Sequence, residues 1–389
     1  MIRPRRPIWT RPLTFMLVVV FKVLSRLRPL LAKTEHQPAP ESILIFSTAG
    51  IGDTLSDTPA IRAVRESFPN AKIAVVAHAK RQAILAGNSQ IDVVIGHRKN
   101  PFMFFSTLRR IRGLQPDIAV VLRANDPDIW PLAYLSGASV VVSRPESTVF
   151  PFLVNRPVSI SSWDSLPGVL QTLEIVKAIG ASTPDPRIVY SVREDEHRDM
   201  EVRLTEFRDS YSKPASKGIP AGNIVAVQIH HSPRLAFRDW PENSFVILCR
   251  KILEEFPVRI ILTGGQADSQ KAKKIYSELN RLGLGNKIIN WVGRLSLRQS
   301  GALLEQSAFF ITTDTGIMHM GFAVNVPTIA LLHPYNARRV GPHGYGNRHR
   351  TLVMKGPETD DRGRLRSIAD ISPDDVTVLF REMYSDTVS

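Results

Sequence analysis

The sequence predicts an α/β protein made of two doubly wound halves, each a parallel sheet with helices on both faces. Apolar, β-rich runs alternate with stretches of helical period along most of the chain, which is the pattern of such sheets. A segment rich in Pro, Gly and Ser, "SKPASKGIPAG", interrupts this alternation near the middle. The length of 389 residues also exceeds the usual size of one core. We therefore expect two domains that meet at this segment.

The first half begins with a nearly complete β-α-β unit, "ESILIFSTAGIGDTLSDTPAIRAVRESFPNAKIAVVAH". Strands are predicted at residues 43–46 and 73–76, with a helix between them that carries Leu55, Ile61 and Val64. Later apolar runs in this half predict three more strands, at 91–95, 118–122 and 140–142.

The second half restarts the alternation after the Pro- and Gly-rich segment. Its strands are predicted by the runs "NIVAVQI", "VRIILTGG", "KIINWVG", "AFFIT" and "VPTIALL", with helices around 245–255, 269–282 and 297–304. The motif "ISPDDVTVLFREM" predicts a last helix capped by Ser372. Its apolar face is expected to pack on the body and consists of Val376, Leu379, Phe380 and Met383.

These patterns divide the chain into five predicted segments. They are an N-terminal arm at 1–40, a first domain at 41–212, a linker at 213–222, a second domain at 223–350 and a tail with the last helix at 351–389.

The N-terminal arm is basic and partly apolar. Residues 1–33 hold eight Lys and Arg and no acid, so the rest of the chain carries 14 − 8 = +6 of the formal charge of +14. The run "LTFMLVVVF" is shorter than the about 20 apolar residues that span a bilayer. Three interpretations stay open: a helix in the membrane interface, which we favour, a signal peptide, or a poorly ordered start. In the first, residues 1–33 bind an anionic membrane surface.

Composition excludes several other classes. The mildly basic body carries no recognisable nucleic-acid motif, so no nucleic-acid partner is expected. The single cysteine, Cys249, excludes an intramolecular disulfide and a metal site made of cysteines alone, which fits a reducing compartment.

Ligands of open α/β sheets bind beyond the carboxyl ends of the strands, and the first predicted strand ends at "TAGIGDT". Gly50 and Gly52 allow backbone to approach a ligand closely, and Asp53 stands where the next helix begins. A dinucleotide fingerprint would need a third glycine at the position of Leu55, so a nicotinamide or flavin site is rejected. The structural alternative makes Asp53 a helix cap.

The motif "TTDTGIMHM" follows a strand of the second half in the same way. Thr315 and Gly316 open a helix whose free N–H groups form an anion site, with Asp314 before it and His319 one turn further on. Asp-Thr-Gly also occurs in aspartic proteases, but these need two facing carboxylates in β-rich lobes. Helix capping alone is the structural alternative.

Basic side chains that suit the same anion occur in two other segments. Arg234 and Arg238 in "IHHSPRLAFRDWPENSF" supply planar guanidinium donors, and Ser232 of that segment is assigned to the same ligand. Arg338 in "ARRVGPHG" is either a ligand contact or part of a solvated basic loop.

No metal site is expected from the remaining acidic and histidine pairs. His230 and His231 are adjacent, so their side chains point opposite ways in extended chain. The pair Asp126 and Asp128 in "NDPDIW" is more typical of a turn.

From about residue 42 to the last helix, the chain resembles glycosyltransferase family 9, known for the lipopolysaccharide heptosyltransferases. The resemblance rests on "GIGDTLSDTPAIRAVRESFPNAKIAVV", "FRDWPENSF", "WVGRLSL", "ITTDTGIMHMGFAVNVPTIALLHPYNARRVGPHG" and "ISPDDV", in that order. It implies a GT-B fold: two Rossmann-like domains facing across a cleft, with the acceptor on the first and the nucleotide-sugar donor on the second.

The resemblance also implies a reaction and its residues. Asp53 matches the general base, Arg238 the basic residue before the family's Trp-Pro, and Leu295 and Ser296 a segment beside adenosine. Asp314, Thr315, Gly316 and His319 match the nucleotide motif. The implied activity is metal-independent, inverting transfer of a heptose or related sugar from an ADP-sugar to a lipopolysaccharide core or similar lipid-linked surface glycan. It requires no cofactor and takes place on the cytoplasmic, inner face of the inner membrane.

Two departures bear on the acceptor and the location. Many family members carry cysteines before the last helix, but "MKGPETDDRGRLRS" has none, and the basic arm is unusual. A nucleotide-sugar epimerase and a catalytically silent nucleotide-binding partner in a membrane assembly stay open as alternatives.

Overall fold

The computed structural model describes residues 18–23, 39–209, 223–230 and 235–388. The chain divides into two compact units, Met1–Val189 and Tyr190–Ser389. The predicted linker at 213–222 and most of the predicted arm lie outside the described residues.

The first unit is a six-stranded sheet in the order β3-β2-β1-β4-β5-β6, in which every described pair of neighbouring strands is parallel. Its strands are β1 (Ser42–Ser47), β2 (Lys72–His78), β3 (Val93–His97), β4 (Ile118–Arg123), β5 (Val140–Ser143) and β6 (Arg156–Pro157). The first five confirm the predicted strands, with β3 two residues later than expected. The two-residue β6 was not predicted, because it is too short to show a periodic pattern.

Helices cover both faces of this sheet. They are α1 (Ile51–Ser56), α2 (Thr58–Ser67), α3 (Pro101–Arg112), α4 (Ile129–Leu135) and α5 (Gly168–Lys177). Alternate residues of β1 point to opposite faces: Ile43 and Ile45 pack with α2 and α5, whereas Leu44 and Phe46 pack with α3 and α4. Burial of both faces explains why the strands read as continuous apolar runs.

The second unit repeats this arrangement with strand order β9-β8-β7-β10-β11-β12, again parallel throughout its described pairs. Its strands are β7 (Asn223–Gln228), β8 (Val258–Thr263), β9 (Ile288–Asn290), β10 (Phe309–Thr313), β11 (Thr328–Leu332) and β12 (His349–Val353). Counted from its first strand, each sheet has the order 3-2-1-4-5-6 of a Rossmann fold.

Seven helices described in the second unit flank its sheet. They are α6 (Glu194–Asp209), α7 (Glu242–Glu255), α8 (Ser269–Arg281), α9 (Leu297–Glu305), α10 (Gly316–Ala323), α11 (Pro334–Val340) and α12 (Pro373–Val388). The last helix begins as predicted, with Ser372 Oγ accepting from Asp375 N at 3.0 Å. Val376, Phe380 and Met383 are buried in the core beside α7, and Leu379 packs against that core.

The charged helix α6 belongs to the second unit, although the sequence analysis assigned residues 194–208 to the first domain. Met200 and Leu204 pack on Ile224 and Ile261 of the second sheet. In addition, Arg298 of α9 forms an ion pair with Glu196 of α6. The buried apolar residues Met200 and Leu204 therefore attach α6 to the second sheet.

Part of the predicted arm packs on the first unit. Residues 18–23 form a short helical segment in which Val18 and Phe21 are buried. Phe21 contacts Tyr134 and Phe150 edge-on, with ring centroids 6.4 and 6.0 Å apart. No helix within the described residues has the length and apolar character needed to cross a bilayer.

Candidate active site

The carboxyl ends of β1 and β4 bring Asp53 and Arg123 together in the first unit. These strands are neighbours at the point where the strand order reverses, which is where α/β sheets bind ligands. Asp53 lies in the first turn of α1, and Arg123 is the last residue of β4.

Two groups fix the position of Asp53. Its Oδ2 accepts a hydrogen bond from Gly50 N at 3.1 Å, so the carboxylate caps the helix while its side chain remains 38% exposed. Arg123 donates to the backbone oxygen of Asp53 at 3.2 Å and has Nη1 4.0 Å from Oδ1. A Cβ at Gly50 would lie 3.0 Å from Oδ2, so a larger residue there would require the carboxylate to shift. Asp53 therefore makes a helix-capping contact, as the structural alternative expected, but the N-cap residue is Gly50.

Behind Asp53 lies a buried carboxylate, Asp57. Its Oδ1 is 3.0 Å from Arg123 Nη1, and its Oδ2 accepts from Ser47 Oγ at 2.6 Å. Burial raises the pKa of Asp57 to about 7, although Arg123 and Ser47 both favour the ionised form. Arg123 thus lies between an exposed and a buried carboxylate.

In the second unit, Arg238 and Asp314 contact each other near the carboxyl ends of β7 and β10. β7 and β10 are neighbours at the reversal of this sheet, and Asp314 directly follows β10. Arg238 Nε lies 3.0 Å from Asp314 Oδ2, and Nη1 donates to the Asp314 carbonyl at 3.4 Å. Asn336 of α11 donates to the same Oδ2 at 2.8 Å. Asp314 is 5% exposed and Arg238 24%, so the carboxylate orients a guanidinium that remains partly accessible.

The start of α10 is the predicted anion site. Thr315 is the N-cap, and its side chain accepts from Met318 N at 3.3 Å. Gly316 is the first helical residue and is only partly buried. His319, one turn on, is 8% exposed and contacts Phe322 edge-on at 6.1 Å. The N-cap Thr315, 9% exposed, is thus about as buried as the imidazole.

The turn after β8 resembles the turn at Asp53. Gly265 N donates to Asp268 Oδ2 at 2.8 Å, as Gly50 does to Asp53. A Cβ at Gly264 would lie 2.6 Å from the Ile229 carbonyl, so this turn requires glycine for close backbone approach. Beside it, burial lowers the pKa of both His230 and Lys271.

Leu295 and Ser296 lie together at the start of α9. Ser296 is the N-cap, and its Oγ accepts from Gln299 N at 3.2 Å while Gln299 Oε1 accepts from Ser296 N at 2.9 Å. Leu295 borders a cavity of about 570 Å³ that Trp291 and Phe207 also line.

Three further predicted site residues are Ser232, Arg234 and Arg338. Ser232 and Arg234 lie outside the described residues. Arg338 is an exposed residue of α11, and its carbonyl accepts from His343 Nε2 at 3.1 Å.

Asp128, one of the two acids in "NDPDIW", contacts a histidine. Asp128 Oδ2 is 3.2 Å from Nε2 of the buried His97, whose Nδ1 bonds Thr107. The part of the chain that the structure describes has no group of three His, Cys, Asp or Glu side chains suited to a metal ion.

Most of the second unit and the end of the first match a known family model. Residues 175–369, half of the chain, fit the model of glycosyltransferase family 9 (heptosyltransferase). The chain belongs to glycosyltransferase family 9. It is accordingly a glycosyltransferase, as the resemblance implied.

Relatives in family 9 are distant in sequence but close in fold. Lipopolysaccharide heptosyltransferase 3 of Escherichia coli is 22% identical over 72% of this chain and 80% of its own. Lipopolysaccharide heptosyltransferase 2 of Escherichia coli K12 is 27% identical over 34% of this chain and 39% of its own. The solved structure of E. coli ADP-heptose lps heptosyltransferase II aligns with a TM-score of 0.71 and 18% identity, covering 90% of this chain and 100% of that one. The predicted GT-B fold class is therefore confirmed.

Three residues of the site were not found in the sequence analysis: Arg123, Asp57 and Asn336. The available signal for Asp57 was its spacing of four from Asp53, which places both on one side of a helical stretch. Arg123 is the last residue of a strand, and the motifs singled out in the sequence also follow strand ends. However, only the strand order shows that β4 lies beside β1 and so brings Arg123 to Asp53. Asn336 carried no signal, because its partner Asp314 is 22 residues away.

Proposed function

We propose that this glycosyltransferase moves a heptose or a related sugar, with inversion, from an ADP-sugar to a lipopolysaccharide core or similar surface glycan. Family membership supports the reaction class, and the names of the E. coli relatives support the donor and acceptor. The observation that carries the chemistry is the half-exposed Asp53 carboxylate, fixed by Gly50 N at the end of β1.

In this mechanism Asp53 is the general base. An acceptor hydroxyl attacks the anomeric carbon of the donor, its proton passes to Asp53, and the bond from that carbon to the diphosphate oxygen breaks. Proton transfer to a positioned carboxylate contributes roughly 10²- to 10⁴-fold to such a step. Arg123 helps to hold this base in place, because its Nη1 donates to the Asp53 carbonyl at 3.2 Å and lies 4.0 Å from Oδ1.

The departing ADP carries the negative charge that develops during transfer. We assign its stabilisation to Arg238, which Asp314 orients, and to the N–H groups at Thr315 and Gly316. Preorganised donors of this kind contribute about 3–4 kcal/mol each in good cases. These groups supply the charge that a divalent ion supplies in other transferases, so we propose that the reaction needs no metal and no cofactor.

The deciding experiment incubates the purified chain with ADP-heptose and a truncated lipopolysaccharide core and measures the mass of the acceptor. A gain of one heptose is expected with ADP-heptose, no gain with UDP-glucose, and a much slower gain with the Asp53→Asn chain. Conversion of the donor without any acceptor would instead identify an epimerase. Binding of ADP without turnover of either substrate would identify a silent nucleotide-binding protein.

Metal dependence is tested in the same assay with EDTA. We expect the rate to be retained. If EDTA abolished the activity and Mg²⁺ or Mn²⁺ restored it, the proposal would be contradicted. Asp126 and Asp128 would then be the candidate metal ligands.

We also propose that the enzyme works on the cytoplasmic face of the inner membrane, held there by the basic residues of its arm. Eight Lys and Arg without an acid in residues 1–33 support this location. The full-length variant R3Q/R5Q/R6Q/R11Q is expected to bind anionic vesicles more weakly than the wild-type chain. Unchanged co-sedimentation would contradict a role for the arm.

A further inference from the structure

Helix α3 of the first unit has a buried side and an unusually apolar exposed side. Thr107 and Ile111 are buried against the sheet, and Phe104 packs on the same core. On the opposite side, Phe102 is 86% exposed and Phe105 is 69% exposed. Two phenyl groups three residues apart lie on one side of a helix, so their exposure forms a patch.

The helical segment at 18–23 lies in the same layer as α3. Val18 and Phe21 belong to the core that α3 and α4 also cover. Its outer residues are again apolar, with Val19 46%, Val20 46% and Val23 56% exposed. The layer on this face of the sheet therefore presents valine and phenylalanine to solvent from two separate elements.

Basic side chains accompany the exposed phenylalanines. The stretch "RKNPFMFFSTLRRIRGL", residues 98–114, contains five Lys and Arg and no Asp or Glu. Arg109 and Arg110 line a groove of about 550 Å³ between α3 and the edge strand β3. An anionic group in this groove would meet two guanidinium groups.

We propose that α3 and the segment at 18–23 form a membrane-docking face for an anionic phospholipid bilayer. In this arrangement Phe102 and Phe105 enter the acyl boundary, and Arg109 and Arg110 contact headgroup phosphates. The inference deepens the membrane association proposed above, which rested on the arm alone. It does not depend on which sugar is transferred.

Charge and shape favour a bilayer over a protein partner. A peripheral helix that lies in the interface combines exposed Phe or Leu with Lys and Arg and buries its apolar side in the headgroup region. Each basic residue near an anionic surface adds about 1 kcal/mol, whereas a zwitterionic surface gives no such attraction. Residues 98–114 contain no Asp or Glu, so this segment carries only positive charge. Uniform positive charge suits a uniformly negative lipid surface.

The first test measures co-sedimentation of the full chain with vesicles of phosphatidylglycerol and phosphatidylcholine. The variant F102S/F105S is expected to partition about tenfold more weakly, since it loses both inserted phenyl groups. The matched control is V202S/V378S, which removes apolar residues of the second unit that are 62% and 49% exposed. It should bind like the wild type. Circular dichroism and the melting temperature establish that each variant is folded.

A second test separates charge from apolar insertion. R109Q/R110Q should weaken binding to phosphatidylglycerol vesicles on the order of tenfold but leave the weaker binding to pure phosphatidylcholine unchanged. The charge-matched control is K273Q/K274Q on α8 of the second unit, which should have no comparable effect. In F102W, brominated lipids should quench tryptophan fluorescence beyond the quenching of the wild-type chain.

The outcomes distinguish this face from the arm and from the enzymatic proposal. The docking face would be contradicted if F102S/F105S bound vesicles as strongly as the wild-type chain, or if F102W showed no added quenching. This holds even if R3Q/R5Q/R6Q/R11Q binds weakly. Loss of binding in F102S/F105S and R109Q/R110Q, with both controls intact, would support it. That result would stand even if the chain transferred no heptose, because vesicle binding is measured without substrates.

Discussion

Arg123 Nη1 lies 3.0 Å from Oδ1 of the fully buried Asp57. The same nitrogen donates to the backbone of Asp53 at 3.2 Å, so one guanidinium connects the buried carboxylate to the candidate base. The Arg123 side chain is 9% exposed and that of Asp57 is fully buried, so packing holds both in place. Arg123 therefore helps to position Asp53, and Asp57 helps to position Arg123.

The charge state of Asp57 should make stability depend on pH. Its pKa is about 7 in the folded chain instead of the usual 3.8, so between these values the native state keeps a proton that the unfolded chain has released. The free energy of unfolding should then fall as pH rises through this window, by at most about 1.4 kcal/mol per pH unit from this group. Asp57→Asn should remove this slope in urea unfolding at pH 5, 6 and 7.

The control for that comparison is Asp374→Asn, which changes a surface carboxylate that is 70% exposed. It should retain the pH slope of the wild-type chain. Identical slopes for the wild type and Asp57→Asn would show that Asp57 is ionised across the whole window.

Two substitutions separate the capping role of Asp53 from its role as a base. Asp53→Asn keeps an oxygen that accepts from Gly50 N but has no basic carboxylate, so transfer should fall roughly 10²- to 10⁴-fold with stability and ADP affinity retained. Asp53→Ala loses the cap as well and should also unfold more easily, by about 1 kcal/mol. The measurements are single-turnover rates, calorimetric ADP affinity and urea unfolding. Full activity in Asp53→Asn would reduce the residue to a cap.

Arg238 and Asp314 should act as one unit in donor binding. Arg238→Ala is expected to weaken ADP binding by about 1.5–3 kcal/mol, the range for hydrogen bonds to charged groups. Asp314→Asn should have a smaller effect in the same direction, because Arg238 loses the carboxylate that orients it. Calorimetry of the double variant should show no more loss than Arg238→Ala alone. Additive losses would mean that Asp314 affects the donor independently of Arg238.

Gly264 and Gly265, the two neighbouring glycines after β8, allow a comparison of a position where the backbone approaches closely with one where it does not. Gly264→Ala places a Cβ 2.6 Å from the Ile229 carbonyl and should cost about 1–3 kcal/mol of stability. Gly265→Ala places a Cβ 3.4 Å from Asp268 Oδ2, an ordinary contact, and should be nearly neutral. Urea unfolding of both variants measures the difference. Equal stability would show that β7 and this turn can separate without cost.

Local sequence patterns determined much of this protein. Alternating apolar runs located five strands of the first sheet, and the face formed by Val376, Phe380 and Met383 identified the last helix. Thr315 was predicted to open its helix and is the N-cap, because a cap depends only on its own turn. Asp53 and the nucleotide motif stood out because they follow strands.

Tertiary structure alone decided which of these residues meet. Arg123 reaches Asp53 across 70 residues and Arg238 reaches Asp314 across 76, because the order of each sheet places the first and fourth strands side by side. Periodicity reports which side of a strand is buried but not which strand lies next to it, since that depends on the path of the crossover helices. The pKa of Asp57 likewise follows from burial and an ion pair between distant segments, so it was fixed only when the chain folded.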